Sequence, residues 1–331
     1  MTEEKRMFYR DKIYGEFEIT EPVLQGLINS EAMARLQKIN QYGTWVYSDP
    51  KFDTTRFSHS IGVFYICKKF GAPLEEQIAA LIHDVSHTAF SHVVDFVFGS
   101  GEKQDFAENL EEEFIAKTDI PAILQKYGFD YQKIHASKSS FPIFERPLPA
   151  LCADRLDYFF HDAVIYGKIS ILDARRIFDD IIFTGEELAF LNRDTAYFAS
   201  KKFLEMAEMW SSPIQSAMYR ELAEAIKAAM SAGVLTKDDL FTYDEAVMKK
   251  MRGANLPEIN EHLKYIGPNT IAVPDPEGIN VKTKIRFIDP PVVLSGNTCQ
   301  LSLLSPDYGR QISDFSEKLR GGFKVRLKLR E

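Results

Sequence analysis

Leu81-Ile82-His83-Asp84-Val85-Ser86-His87-Thr88-Ala89-Phe90-Ser91-His92 is the densest histidine segment of the chain. Four of the seven histidines fall between positions 59 and 92. The run from Leu74 to about Val85 opens with Glu75 and Glu76 and continues with Ile78, Ala79, Leu81 and Ile82. That spacing predicts a helix with acidic residues at the positive end of its dipole, and its C-terminal end delivers His83 and Asp84. Helix neighbours diverge by about 100°. Both can still reach one ion beside the helix end, because their side chains differ in length. Imidazole with carboxylate suits a divalent transition ion, and such a site needs further ligands from other helices. The candidates are His59 in Arg56-Phe57-Ser58-His59-Ser60 and Asp154 in Cys152-Ala153-Asp154-Arg155-Leu156-Asp157-Tyr158.

Outward from this segment the chain reads as mostly α. Pro22 opens a helix through Ile28, a second spans Glu31 to Asn40, and Gln41 to Thr55 is rich in turn formers and reads as loop. A helix around His59 stops near Gly71 and Pro73. Further helices are expected at Ser91 to Phe98, Asp105 to Ala116, Pro121 to Tyr127, Leu151 to Tyr166, Ile171 to Phe178, Thr195 to Trp210 and Pro213 to Ala232. The acidic run Glu108 to Glu113 reads as a solvated helix face. Ala136 to Pro149, with three prolines, is expected to be a long loop and a candidate lid. Ile181 to Leu191 reads as a small hairpin turning at Thr184-Gly185-Glu186.

Near Asn269 the character changes. Proline, glycine and β-branched residues rise, and Lys282 to Ile288 alternates as a strand does. In the last strand Phe323, Val325, Leu327 and Leu329 face one way, and Lys324, Arg326, Lys328 and Arg330 the other. The expected organisation is a helical core over residues 1–268, with the metal site within 56–162, and a small C-terminal α+β appendage over 269–331.

Composition sets bounds. A formal net charge of -8 argues against broad electrostatic binding to nucleic acid. An acidic chain that accepts a phosphate ester must gather its Arg, Lys and metal charge in one cleft. Cys67, Cys152 and Cys299 are far apart, odd in number and form no CxxC pair, which fits reduced thiols. Cys67, among Phe64, Tyr65 and Ile66, reads as a buried structural thiol. Met1 to Arg10 has no apolar signal-like region, and no run approaches a membrane span, so the expected location is cytoplasmic.

The order His, then His-Asp, then Asp resembles the signature of the HD-domain metal-dependent phosphohydrolases. Flanking text narrows the resemblance: Arg35-Leu36 to Gln41-Tyr42-Gly43, Arg56-Phe57-Ser58-His59-Ser60-Ile61-Gly62-Val63, the His83 to His92 run, and Asp154-Arg155-Leu156-Asp157-Tyr158-Phe159. These look like the branch containing the SAM- and HD-domain dNTP triphosphohydrolases. Asp11-Lys12-Ile13-Tyr14-Gly15 is similar to that branch's N-terminal Asp-Pro-Ile-His-Gly turn. The resemblance covers roughly residues 8 to 230.

It implies an HD-domain helical core and one divalent ion (Mn, Fe, Ni, Zn, Co or Mg) held by His59, His83, Asp84 and Asp154. It also implies a His92–Asp95 dyad that protonates the leaving oxygen, with His87 lining the phosphate pocket. Arg56 and Arg155 match phosphate-holding positions, and Gln41, Tyr158, Asp162 and Tyr219 match sugar-pocket positions. The implied partners are a nucleotide or other phosphoester substrate and further copies of the chain in a homo-oligomer. His161, beside Asp162, lacks ordered partners and reads as structural.

Three departures from that branch stand out. Gln104-Asp105 occupies the place of a further His-Glu pair. Ser211 stands where a family Arg touches the distal phosphate. Asn29 and Gln37 fall where an activating guanine nucleotide is read, so activation of that type is not expected. The expected activity is therefore a nucleotide phosphohydrolase resembling the dNTP triphosphohydrolases. The alternatives are a nucleotidase or phosphodiesterase on another phosphoester, and a non-catalytic nucleotide-binding scaffold.

Overall fold

The computed structural model describes residues 6–99, 106–282 and 284–330. Gln104 and Asp105 lie outside the described residues. The fold is mostly α with a few small sheets.

The chain opens with an antiparallel hairpin, Met7–Asp11 with Gly15–Ile19. Asp11 closes its turn by accepting the Ile13 and Tyr14 amides on Oδ1, 2.7 and 2.9 Å. The helix carrying His59, Arg56–Lys69, starts at a capping box: Thr55 Oγ1 accepts the Ser58 amide, and Ser58 Oγ accepts the Thr55 amide. Such a cap contributes about 1 kcal/mol and fixes where the helix begins. The next helix, Leu74–Ile82, ends with His83 as its cap, so His83 and Asp84 sit just past its last turn. The helix Ala153–Ile165 carries Asp154 in its first turn and packs on Arg56–Lys69. At that crossing an ideal Cβ on Gly62 would lie 1.9 Å from Asp157 Oδ1, so only glycine lets the two helices approach this closely.

The buried apolar residues form two clusters. One gathers the hairpin, Arg56–Lys69, Leu74–Ile82, Ala153–Ile165 and Arg193–Trp210. The other is built around Pro213–Ser231 and takes in Asp244–Ala254 and Pro257–Leu263. The C-terminal segment feeds both. Thr270–Val281 pairs antiparallel with Phe323–Leu329, and Val281, Val325 and Leu327 enter the second cluster. Pro291–Leu294 joins the Ile181–Phe183/Leu188–Phe190 hairpin through a parallel Phe190–Val292 contact, and Ile288, Val292, Tyr308 and Phe315 enter the first cluster. The last strand keeps its expected faces, with Val325 and Leu327 buried and Lys324, Arg326 and Lys328 exposed.

Several expectations change. Lys282 to Ile288 has no ladder partner among the described strands; the strand precedes it, at Thr270–Val281. Short helices occupy places read as loop, Trp45–Ser48 and Tyr131–Ser137. The middle of Ala136 to Pro149 is pinned rather than free: Glu76, fully buried, accepts the Ile143 and Phe144 amides on Oε1 at 2.7 and 2.8 Å. Glu111 is also buried, 2.8 Å from Lys138, so the acidic run is not solvated throughout. Cys67 is buried as expected.

Candidate metal centre and active site

His59, His83 and Asp154 each bring one ligand atom into a group whose members lie within 4.8 Å of one another. Asp84, the fourth expected ligand, flanks them. One of its oxygens is 3.9 Å from His59 Nε2 and the other 3.4 Å from His83 Nε2. The His59 ring is held between two carboxylates, Nδ1 2.7 Å from Asp157 and Nε2 2.9 Å from Asp154. Burial disfavours its cation, but hydrogen bonds to Asp154 and Asp157 push its pKa up to about 10. A proton on Nε2 and a divalent ion compete for the same place. The shift therefore reports how strongly this cluster of carboxylates demands positive charge.

His83 tests whether the residues fit a metal. Its Nδ1 donates to the Ala80 carbonyl at 2.8 Å, which leaves Nε2 as a bare lone pair. That atom is buried without a hydrogen-bond partner, 3.4 Å from Asp84 and 3.8 Å from Asp154. Two carboxylates around a buried, unpartnered ring nitrogen favour a cation among them, and the donor set fits a divalent ion.

A second set of groups stands behind the ligands. Asp157, fully buried, also accepts from the Tyr14 hydroxyl at 2.8 Å. His161 bridges Asp157, 3.3 Å away, to Asp11, 3.0 Å away. Burial opposes its charge, but Asp157 first and Asp11 with it hold its pKa well above the usual histidine value. His161 stands behind the expected ligands, and its partners come from the hairpin and from its own helix.

His87 and His92 also line the pocket. His87 is pushed down to about 3 by burial and by the Arg56 charge, so it is a neutral ring whose Nε2 donates to Asp84 at 3.2 Å. His92 Nδ1 lies 3.0 Å from Asp95. Burial lowers the His92 pKa, against the hydrogen bond it donates to Asp95. Asp95 is fixed in turn by the Phe106 amide at 2.9 Å. The loop that presents His92 is strained: Phe90 and Ser91 adopt φ of 62° and 52°. Such conformations cost about 1–3 kcal/mol each unless their surroundings enforce them. Here Asp244 accepts the Phe90 amide at 2.7 Å and Ser91 Oγ donates to the Asn40 carbonyl at 2.7 Å.

Arg56 and Arg155 both line the pocket. Arg56 is buried and donates to Asp84 and Ser91, each at 3.0 Å. With burial opposing it, the Arg56 charge leads in holding the Asp84 carboxyl well below its usual range. Arg155 donates to the carbonyls of Ala150 and Arg146, while its Nε is buried and unpartnered.

Tyr158, Asp162, Trp210 and Tyr219 line the same pocket. Asp162 accepts from Tyr42 and Trp210, and burial raises its pKa to about 7. Tyr219 donates to the Tyr42 carbonyl at 2.8 Å. Gln41 faces the same space, with its Oε1 buried and unpartnered. The pocket thus brings together every expected site residue except Asp95, which supports His92 from behind.

Sequence reasoning missed Trp210, Tyr42 and a group of cations, Lys138, Lys282, Lys284 and Arg286, that also line the pocket. The alternation of Lys282 to Ile288 was the only signal for the last three. Ser211 is buried at the end of Arg193–Trp210 and brings no charge. Asn29 and Gln37 are exposed helix caps. Among the described residues, no helix is long and apolar enough to cross a membrane.

Residues 56–160, which span all four expected ligands, match the family model described as HD domain. Over 91% of this chain and 90% of its own length, the "Metal-dependent phosphohydrolase cns2" of Cordyceps militaris is 33% identical. The "Uncharacterized protein YdhJ" of Bacillus subtilis is 34% identical over 96% of this chain and 98% of its own. A deoxynucleoside triphosphate triphosphohydrolase, SAMHD1 of Gallus gallus, is 26% identical over 51% of this chain and 35% of its own. Among solved structures, a phosphohydrolase of Bacteroides thetaiotaomicron shares the fold at a TM-score of 0.68 and 18% identity, over 98% of this chain and all of that one. With its ordered ligands, its orphaned His83 nitrogen and a full-length relative at this identity, the chain belongs to the HD-domain family of metal-dependent phosphohydrolases.

Proposed function

We propose that the chain hydrolyses a nucleotide, in a reaction like that of the deoxynucleoside triphosphate triphosphohydrolases. The observation that carries this reading is that one pocket is lined by two unlike groups of side chains. The first is the expected ligand cluster with Arg56, Arg155, His87 and His92. The second is Tyr158, Trp210 and Tyr219 with the buried carboxyl of Asp162. Phosphate suits the first group. A sugar suits the second, where rings give flat apolar faces and Asp162 and the unpartnered Gln41 Oε1 give acceptors for hydroxyls. The triphosphohydrolase relative, at 26% identity, points the same way.

When bound, a divalent ion polarises the phosphoryl oxygen and lowers the pKa of water. The chain's own residues do the rest. Arg56 and Arg155 orient the phosphate, the Nε edge of Arg155 being still unpartnered. His92, oriented by Asp95, protonates the leaving oxygen. Burial keeps His92 neutral in the free protein, and an arriving polyanion raises its pKa, so the proton is taken up with the substrate.

A second reading, hydrolysis of another phosphoester with release of orthophosphate, is favoured by the uncharged Ser211. Product chromatography of Mn-supplemented protein against a panel of mono- and triphosphates separates them. Release of inorganic triphosphate and a nucleoside supports the first reading. Orthophosphate release moves the assignment to the second, and turnover of no nucleotide overturns the nucleotide assignment.

A further inference from the structure

The segment after Thr270–Val281 lies along the pocket as a strap whose described residues are anchored at both ends. Val281 is fully buried in the second apolar cluster and Ile288 almost so in the first. The Asp289 amide donates to the Pro149 carbonyl at 3.0 Å, and the Tyr308 hydroxyl donates to the Ile288 carbonyl. Between the anchors the side chains alternate. Ile285 and Phe287 pack against the first cluster, and Lys282, Lys284 and Arg286 line the pocket. Among the described residues this is a period of two, so the apolar residues hold the strap down while the basic ones line the cavity.

The charge there is out of keeping with the rest of the chain. The whole chain has 48 acidic and 40 basic residues. The pocket is lined by six Lys and Arg against the carboxylates of Asp84, Asp154, Asp162 and Glu145. Arg56 is paired with Asp84 and Lys138 with Glu111, which leaves Arg155, Lys282, Lys284 and Arg286 against Asp154, Glu145 and Asp162, whose pKa burial raises to about 7. Lys282 and Lys284 are exposed, and among the described residues neither lies within ion-pair distance of a carboxylate. A divalent ion would add two further positive charges. A ligand with a single phosphate neutralises only part of this excess. Two exposed lysines that line this same pocket suit charge that extends beyond the reacting phosphorus.

We infer that Lys282 and Lys284, with Arg286 below them, read the polyphosphate chain of the substrate. They make a di- or triphosphate, rather than a monophosphate, the preferred substrate class. The inference rests on the phosphohydrolase reading of this pocket and adds a specificity element from the C-terminal segment.

The test is calorimetric titration of the metal-loaded protein and of the Lys282→Gln/Lys284→Gln variant. The probes are orthophosphate and inorganic tripolyphosphate, with divalent ion in excess and metal content checked afterwards. Both lysines are exposed, so the variant is expected to fold. Tripolyphosphate is expected to bind the wild type at least about tenfold more tightly than orthophosphate, the order of one charge-assisted contact. The double substitution should remove that margin and change orthophosphate affinity less than about twofold. Equal binding of the two probes to the wild type overturns the inference, and so does a margin that survives in the variant. Because the readout is binding, failure to turn over nucleotides in the chromatographic assay is a separate result.

Discussion

Gly62→Ala places one methyl group between the two helices that carry His59 and Asp154. The new Cβ would stand 1.9 Å from Asp157 Oδ1 and 2.6 Å from Asp157 Cγ. The carboxylate would have to recede by about 1 Å to bring the first contact to 3.0 Å. It has little room to do so, because it holds His59 Nδ1 at 2.7 Å and the Tyr14 hydroxyl at 2.8 Å. Overpacking a well-filled site costs about 1–3 kcal/mol, and a hydrogen bond to a buried charge contributes roughly 1.5–3 kcal/mol. The sum is on the order of 3–5 kcal/mol, or a fall in Tm of roughly 5–15 °C for a chain of this size. The same displacement releases the His59 ring, and loss of an outer partner typically weakens metal affinity by about 10–100-fold. Differential scanning calorimetry and competitive metal titration read the two effects. Gly253→Ala is the control: it is helical, its Cβ would meet nothing within 4 Å, and it should be neutral or slightly stabilising. Wild-type melting and wild-type metal affinity in Gly62→Ala would refute the placement of Asp157 behind His59.

Other perturbations separate the parts of the site. Asp84→Asn keeps the shape of a group held by Arg56 and His87 but removes its charge, and should take both metal occupancy and turnover to background by mass spectrometry and phosphate release. His92→Ala should leave metal content unchanged and lower kcat by roughly 10²–10⁴-fold, the worth of a general acid; an unchanged kcat sinks that role. His161 has a folded pKa well above its unfolded value near 6.5, so its stabilisation is complete below about pH 6.5 and declines as pH rises towards the folded value. Urea unfolding of His161→Gln in chelator should therefore show a larger deficit at pH 6 than at pH 9, and a deficit that grows with pH contradicts the ion pairs with Asp11 and Asp157.

The parts legible in the sequence are those whose signal is local. His59, His83, Asp84 and Asp154 are scarce residue types in a fixed order, each inside distinctive text. The His92–Asp95 pair is separated by three residues, and the two meet at one helix start. The last strand alternates because one of its faces packs on Pro213–Ser231. What was not legible depends on contacts across the chain. His161 reaches Asp11 from 150 positions away, and no spacing rule connects them. Glu76 looks like a solvated first-turn acid, yet its partners are backbone amides of Ile143 and Phe144, which no side-chain pattern records. For the same reason the Ala136 to Pro149 stretch read as free. Alternation in Lys282 to Ile288 reports which side chains share a face, but not a strand. A strand also needs a neighbour, and here the alternate faces meet an apolar cluster and a pocket instead.

The central claim is that His59, His83, Asp84 and Asp154 hold one divalent ion. Its most direct test is the metal stoichiometry of the purified protein and of His83→Ala, measured by elemental mass spectrometry after dialysis against a divalent ion. Removing His83 takes away the orphaned Nε2 and leaves the folded core otherwise intact. The expected result is about one ion per chain in the wild type and far less in the variant. A folded wild type that retains no ion, or a variant that holds it as tightly, would contradict the claim.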